Sequence, residues 1–305
     1  MTGSVADRLS GAPRWRLWLL AARPATLPAA VVPVLVGTAA ALPAEGALPR
    51  PLAFLAALLC SLLIQVGTNF ANDYFDFRKG ADTAARLGPT RVSQAGLIAP
   101  SQVLTATLLA FGLAALVGLY LIAIGGWPIL LVGALSILSG LAYTGGPYPL
   151  GYHGLGDLFV FVFFGLAAVV GSAYLQTGRI EPVALGAAIP TGLLVTAILV
   201  VNNLRDADTD RAAGKMTLAA RLGRRAARIQ YGLLVLGAYL FPPALPLFDP
   251  AVKSHWLPWL TLPLGLMLVG TVATRSDGPT LNRALKQTGL LHLLFGLLFA
   301  GSMAA

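Results

Sequence analysis

The residues best suited to chemistry in this chain are its acids, because there are so few of them. Only 12 of 305 residues are Asp or Glu, and six of these fall in two short runs. The first run reads Asn69-Phe-Ala-Asn72-Asp73-Tyr74-Phe-Asp76, followed by Arg78-Lys79-Gly80-Ala-Asp82. The second reads Asn202-Asn203-Leu-Arg205-Asp206-Ala-Asp208-Thr-Asp210-Arg211, followed by Gly214-Lys215. On a helix that turns about 100° per residue, Asn69, Asp73 and Asp76 share one narrow face. Asn202, Asp206 and Asp210 do the same, and Asp208 points the opposite way, toward solvent. Each run thus presents an amide and two carboxylates in a row. Ordinary charged helix ends would explain one such acid, but two matched acidic faces repel themselves unless a cation compensates them. Carboxylates beside Asn carbonyls are hard oxygen ligands of the kind Mg2+ takes when it bridges protein to phosphate. Asn69, Asp73, Asp76, Asp82, Asn202, Asp206 and Asp210 are therefore the candidate metal ligands.

Basic residues interleaved with the acids narrow the ligand. A site for a metal ion alone has no use for cations, whereas a polyphosphate needs both Mg2+ and Lys or Arg on its remaining oxygens. Lys79, Arg91, Arg205 and Lys215 are the candidates, with charge bias in the loops as their other reading. A third segment, Tyr143-Thr-Gly-Gly-Pro-Tyr148-Pro-Leu-Gly-Tyr152-His153-Gly-Leu-Gly-Asp157, has no basic residue. Its turn formers and tyrosines suit the wall of a pocket, where Tyr143, Tyr148 and Tyr152 can meet a ring or a cation. An interfacial aromatic belt is the alternative for Tyr148 and Tyr152. His153 reads as polar surface or as a proton carrier.

The elements that must position these groups are membrane helices. Hydrophobic residues make up 57% of the chain and charged residues 11%, too few charges to cover a water-soluble globule. Windows free of Asp, Glu, Lys and Arg run 24–44, 51–72, 92–156, 158–178, 182–204, 229–248, 254–274 and 287–305. About 20 apolar residues cross a bilayer, so the long third window holds two spans, turned at Gly125-Gly126 and Pro128. The expectation is an all-α membrane protein of nine transmembrane helices, one membrane domain over 1–305. Residues 1–23 form a cytoplasmic or interfacial N-terminus and 24–305 the bundle. Of the 21 Lys and Arg residues, 18 fall on one side if the N-terminus is cytoplasmic, as the positive-inside rule prefers. The net charge of +9 is then a topology signal, and nucleic acid is not an expected partner. Leu17–Ala22 is too short for a signal-peptide core, and Arg14-Trp15-Arg16-Leu17-Trp18 suits an interfacial segment. The single cysteine, Cys60, reads as a small buried hydrophobe.

At these residues the chain resembles the UbiA superfamily of intramembrane aromatic prenyltransferases. The resemblance runs from Arg23-Pro-Ala-Thr-Leu-Pro28 through both Asp-rich runs and Gly88-Pro-Thr-Arg91. It continues through Tyr143-Thr-Gly-Gly-Pro147 and Gly214-Lys-Met-Thr-Leu218 to Leu281-Asn282 and Thr288. It implies nine helices around a central cavity, with the two acidic motifs facing each other at its cytoplasmic end. It also implies Mg2+ as cofactor and a polyprenyl diphosphate as donor, in an integral protein of a bacterial-type plasma membrane. The Asn-Asn-Leu-Arg-Asp run and the Tyr-Thr-Gly-Gly-Pro loop are most similar to the branch that prenylates 1,4-dihydroxy-2-naphthoate. There the ring loses CO2 to give demethylmenaquinone, a step of menaquinone synthesis. Asp73, Asp76, Asp206 and Asp210 would serve ionisation of the donor, and Tyr143 would stand beside the allylic cation. The first motif departs from the commoner Asp-x-x-x-Asp spacing, which leaves Asp76 and Asp82 as alternatives for its second ligand. Other acceptors in the superfamily, such as 4-hydroxybenzoate or homogentisate, share the metal site. A cation-coupled transporter would place its acids at the midplane, and a CDP-alcohol phosphotransferase would carry an Asp-Gly-x-x-Ala-Arg signature missing here.

Overall fold

The computed structural model describes residues 11–45, 48–81 and 87–305, and among them every regular element is a helix, with no strand. The helices in chain order are α1 (Arg14–Ala22), α2 (Pro28–Glu45), α3 (Pro51–Arg78), α4 (Pro100–Gly125) and α5 (Trp127–Ala142). They continue as α6 (Gly156–Thr177), α7 (Pro182–Ala212), α8 (Leu218–Ala238), α9 (Leu257–Thr274) and α10 (Gly278–Ala304). Proline opens the first turn of α3, α4 and α7, where its missing N–H would find no intrahelical partner anyway.

Six helices are long and apolar enough to cross a membrane, or up to eight if each of two bent pairs is one span. One of the six, Pro100–Ala142, is 43 residues long. It breaks at Gly126, whose φ of 68° places it in the left-handed region that glycine tolerates. This is the hairpin expected at Gly125-Gly126, and both of its arms pack on α3. Nine crossings were expected, so length and composition alone return fewer; the difference lies in the bent pairs and in this joined segment.

The bundle is built around α7. In its apolar window 78% of residues are buried, against 17% to 44% in the other five long helices. Small residues allow that density. A Cβ on Gly165 would stand 2.7 Å from the Cα of Gly192, so α6 and α7 meet backbone to backbone there. Around Gly165, Phe161–Ala167 winds as a π-helix within α6. Inside α7, Thr191 and Thr196 bond back to the carbonyls of Ala187 and Gly192. The outer helices carry leucine rows on their free faces, as Leu108, Leu109, Leu113, Leu116 and Leu119 do on α4, which is the surface a lipid solvent selects.

Helix α1 lies across one end of the bundle. Its Leu17 and Ala21 bury against Phe70, Val92, Ile98 and Val103, while Trp15 and Leu19 stay exposed. It ends at Arg23, the one described non-glycine residue with positive φ, and the chain bends by 50° into α2.

Candidate active site

Both acidic motifs occupy the last turns of long helices at one end of the bundle. Asp73 and Asp76 lie on one face of α3, each only 1% exposed. Asp206 on α7 is 4% exposed and Asp210 half-buried, whereas Asp208 points out and pairs with Arg224 at 2.9 Å. An ionised carboxyl at such depth demands partners, and four separate segments supply them.

The turn segment after residue 87 holds the first motif. Asp73 accepts the backbone N–H groups of Val92 and Ser93 at 3.1 and 3.0 Å. Asp76 Oδ2 pairs with Arg91 at 3.2 Å and with Lys215 at 3.6 Å, and its Oδ1 accepts the Tyr152 hydroxyl at 2.9 Å. Lys215 follows the second motif, so a residue of that motif neutralises an acid of the first. Tyr152 joins the same point, with its ring 5.3 Å from Lys215 Nζ and 4.9 Å from Lys79 Nζ.

The second motif is organised by Arg205, whose side chain is fully buried. Its guanidinium spans the Asp206 carboxylate, Nε to Oδ1 at 2.8 Å and Nη2 to Oδ2 at 2.5 Å. The remaining donors reach Asn202 Oδ1 at 2.9 Å and Asn282 Oδ1 at 2.8 Å. Asn282 in turn donates to the Leu87 carbonyl at 2.8 Å. A continuous path therefore runs from Asp206 through Arg205 and Asn282 to the segment that carries Arg91, and on to Asp76 and Lys215.

The tyrosine-rich segment forms a wall beside this ring. Thr144 donates to Asn72 Oδ1 at 2.9 Å, and Lys79 Nζ to the Thr144 carbonyl at 2.7 Å, so the loop is tied to the end of α3. Met216 N–H reaches the Tyr152 carbonyl at 3.0 Å. Tyr143 is clamped between glycines: a Cβ on Gly151 would lie 3.1 Å from its ring, and one on Gly156 2.8 Å from its hydroxyl. Burial pushes the pKa of that hydroxyl up, and the nearby carboxylates of Asp157, Asp76 and Asp210 push it further the same way. Tyr143 also stands at one end of a cavity of about 580 Å3. The rest of that cavity is mostly apolar, with Val34, Ile122, Ile129, Phe163 and Leu175 among its lining beside a few hydroxyl residues such as Ser61 and Thr68.

Some expected residues sit elsewhere. Asn69 shares the buried face of α3, but its amide donates to the Ala22 carbonyl and to Thr26 Oγ1 at 2.9 and 3.0 Å; it secures the α1–α2 junction. Tyr148 is 58% exposed and stacks on His153 with ring centroids 3.6 Å apart. Asp82 lies outside the described residues. Among the described residues, no three acidic, His or Cys side chains gather around one point. Asp73, Asp76 and Asp206 are each balanced by N–H groups or cations, which the helical spacing did not reveal. Asn72, Thr144, Asn282 and the Val92 and Ser93 amides belong to the arrangement without having been candidates for it. Asn72, Thr144 and Asn282 stood within the first acidic run, the Tyr143 segment and the Leu281-Asn282 pair, whereas the two backbone amides had no signal in the sequence.

The donor set still fits a divalent cation bound with a diphosphate. An ionised carboxylate offers about four acceptor sites; Asp73 and Asp206 each use two in the contacts above.

The fold agrees with what similar proteins show. The UbiA prenyltransferase family model matches residues 30–298, and the chain belongs to that family, as an integral membrane enzyme of prenyl transfer. It is 40% identical over 290 residues to the 1,4-dihydroxy-2-naphthoate octaprenyltransferase of Mycobacterium tuberculosis, covering 94% of this chain and 96% of that one. It is 39% identical over 303 residues to the Escherichia coli enzyme of the same name, covering 96% and 98%. Among solved structures, a UbiA homolog from Archaeoglobus fulgidus bound to GPP and Mg2+ superposes with a TM-score of 0.66. Identity there is 16%, and coverage is 95% of this chain and 100% of that one.

Proposed function

We propose that the protein transfers a polyprenyl group from its diphosphate to 1,4-dihydroxy-2-naphthoate, with loss of the ring carboxylate as CO2, giving the quinol form of demethylmenaquinone for menaquinone synthesis. The observation that carries the prenyl transfer is the meeting of Asp76, Arg91 and Lys215 at one point, beside a tyrosine that heads an apolar cavity. The naphthoate acceptor rests on relatives of that name matching along nearly the whole chain. Asp73, Asp76, Asp206 and Asp210 would hold Mg2+ with the diphosphate, Asp82 being the alternative second ligand of the first motif. A bound divalent cation supplies positive charge that stabilises the departing diphosphate.

The chain's own groups do the rest. Arg91, Lys215 and Arg205 would take diphosphate oxygens, with Lys79 at the rim and Tyr152 orienting the two lysines. Before the donor binds, these cations compensate the acids, so the empty site is not left with unpaired charge. The apolar cavity would receive the prenyl tail and keep water from the allylic cation. The Tyr143 ring offers its face to that cation, and its raised pKa keeps the hydroxyl protonated, so that it does not compete as a nucleophile.

The same reading places the site at the cytoplasmic face of a bacterial-type plasma membrane, in one domain over 1–305. Nine crossings follow if the arms of Pro100–Ala142 span separately and each of the two bent pairs crosses once. At about 1.5 Å per residue that segment is twice the bilayer's apolar thickness. The test is the purified chain with Mg2+, dihydroxynaphthoate and a ladder of prenyl diphosphates, products identified by mass. Prenylated, decarboxylated naphthoquinol is expected; turnover only with 4-hydroxybenzoate or homogentisate would overturn the acceptor.

A further inference from the structure

Every other buried acid of the described site has two N–H groups or a cation against it; Asp157 has a single side-chain amide. It is 8% exposed, in the first turn of α6, and takes one neutral hydrogen bond, from Gln230 Nε2 to Oδ2 at 2.6 Å. Asp73 has two backbone amides, Asp76 two cations, and Asp206 a bidentate arginine. Among the described residues no Lys, Arg or His forms an ion pair with Asp157. A carboxylate held by a single amide keeps most of its accepting capacity.

Its position gives that capacity a use. The preceding residue, Gly156, packs on the Tyr143 hydroxyl, and Phe159 and Val160 on the following turn line the apolar cavity. Burial, and then the Asp157 carboxylate together with those of Asp76 and Asp210, pushes the Tyr143 hydroxyl pKa up. Asp157 therefore lies next to the residue that packs on the tyrosine, at the start of the turn whose Phe159 and Val160 wall the cavity.

We infer that Asp157 is a further catalytic residue, the base that accepts the proton of the acceptor's ring hydroxyl, and that Gln230 is the positioning residue that holds it. The inference rests on the proposed naphthoate prenyl transfer. The balance closes without another reagent. The O–H pair flows into the ring as the proton passes to Asp157, and the carbon bearing the carboxylate bonds to the allylic carbon. The allylic C–O bond breaks and its pair leaves with the diphosphate. The ring is then a ketone beside a quaternary carbon that carries the carboxylate and the prenyl group. Loss of CO2 returns an electron pair to the ketone oxygen, which recovers its proton from Asp157. A hydroxyl proton lost and regained by one carboxyl group is general base and then general acid catalysis, typically worth about 10^2 to 10^4 in rate.

The alternative is structural: an acid at a helix N-terminus is favourable there without doing chemistry. Asp157→Asn separates the two, because it keeps a polar side chain for Gln230 but removes the base. With purified full-length protein, turnover of dihydroxynaphthoate by the unaltered chain reports on the proposed function by itself. For Asp157→Asn, transfer is expected to fall at least 100-fold. Ionisation of the donor, read as scrambling of a bridging 18O label in the prenyl diphosphate, is expected to persist within about threefold. The defect should shrink at least tenfold with an acceptor whose hydroxyl is already ionised at the assay pH. Asp157→Glu, which keeps a base, should recover at least a tenth of wild-type transfer, and it carries the test if the asparagine variant does not fold. Transfer within fivefold of wild type in Asp157→Asn would overturn the inference. So would equal loss of ionisation and transfer, or a defect that ignores acceptor acidity, or an inactive but folded Asp157→Glu.

Discussion

Lys215 Nζ stands 3.6 Å from Asp76 Oδ2, the contact by which the second acidic motif's loop reaches the first. Arg91 shares the same oxygen at 3.2 Å. The two cations are not equivalent to the acid in what their loss would do. Removing Asp76 leaves two cations facing each other in a buried place, and breaking a buried pair from one side typically costs about 3–5 kcal/mol. Removing Lys215 leaves Arg91 to compensate Asp76. Asp76→Ala is therefore expected to lower both thermal stability and prenyl transfer. Lys215→Ala should lower transfer about 100-fold, mainly through KM for the prenyl diphosphate, with a melting temperature within a few degrees of wild type. Thermal unfolding in detergent and steady-state kinetics on both variants check this. Equal destabilisation by the two would show that the contact is structural.

Asp73 makes a different prediction because its partners are backbone amides. Asp73→Asn replaces one accepting oxygen with an NH2 group that faces the N–H of Val92 or Ser93. A buried donor without an acceptor costs about 1–3 kcal/mol. The segment so loosened carries Arg91, so its register against Asp76 is lost as well. The variant is expected to lose transfer by about 100-fold or more and to need more Mg2+ for half-maximal rate. An Mg2+ titration of activity checks it; normal transfer at the wild-type Mg2+ requirement would remove Asp73 from the metal site.

The spacing of Asp73 and Asp76, and of Asp206 and Asp210, made their shared helical faces legible, because a helix has one period. The turn at Gly126 was equally plain, since a long charge-free run must double back somewhere. The partners of Asp76 were not legible: Arg91, Tyr152 and Lys215 come from three loops whose meeting depends on how the bundle packs. Asn69 and Asn72 show the same limit within one motif. The face geometry favoured Asn69, yet its amide holds Ala22 and Thr26, while Asn72 receives Thr144. The centrality of α7 was hidden too, for an apolar run reads alike whether it faces lipid or protein. Asp157 stood in the sequence as the end of a loop, and only its burial without a cation sets it apart.

The cavity below Tyr143 can be shortened without disturbing the packing around it. Gly171 lines it, and a Cβ there would meet nothing within 4 Å. Gly171→Leu should therefore keep or slightly raise stability, since glycine inside a helix costs about 0.5–1 kcal/mol. It would fill space that a prenyl tail would use. With a ladder of prenyl diphosphates, KM is expected to rise at least tenfold for the longer donors and to change little for the shortest. A uniform change across the ladder would place the tail elsewhere.

Lys79 gives the pH dependence. Burial against the loop lowers its pKa from the ordinary lysine value, and Asp76 opposes that shift without cancelling it. A lysine with a lowered pKa sheds its charge at a lower pH than a free lysine does. If that charge holds a diphosphate oxygen, binding is complete below the lowered pKa and weakens as pH rises through it. KM for the prenyl diphosphate is thus expected to climb on the alkaline side, at a pH below the ordinary lysine pKa near 10.4. Lys79→Arg, always charged, should flatten that climb, and Lys79→Met should raise KM at all pH values and leave no alkaline limb from this group. Bound donor would favour the charged form, so the limb should appear in kcat/KM more than in kcat. Coincident profiles for the wild type and the arginine variant would take Lys79 out of the donor site and leave it as the clasp on the Thr144 carbonyl.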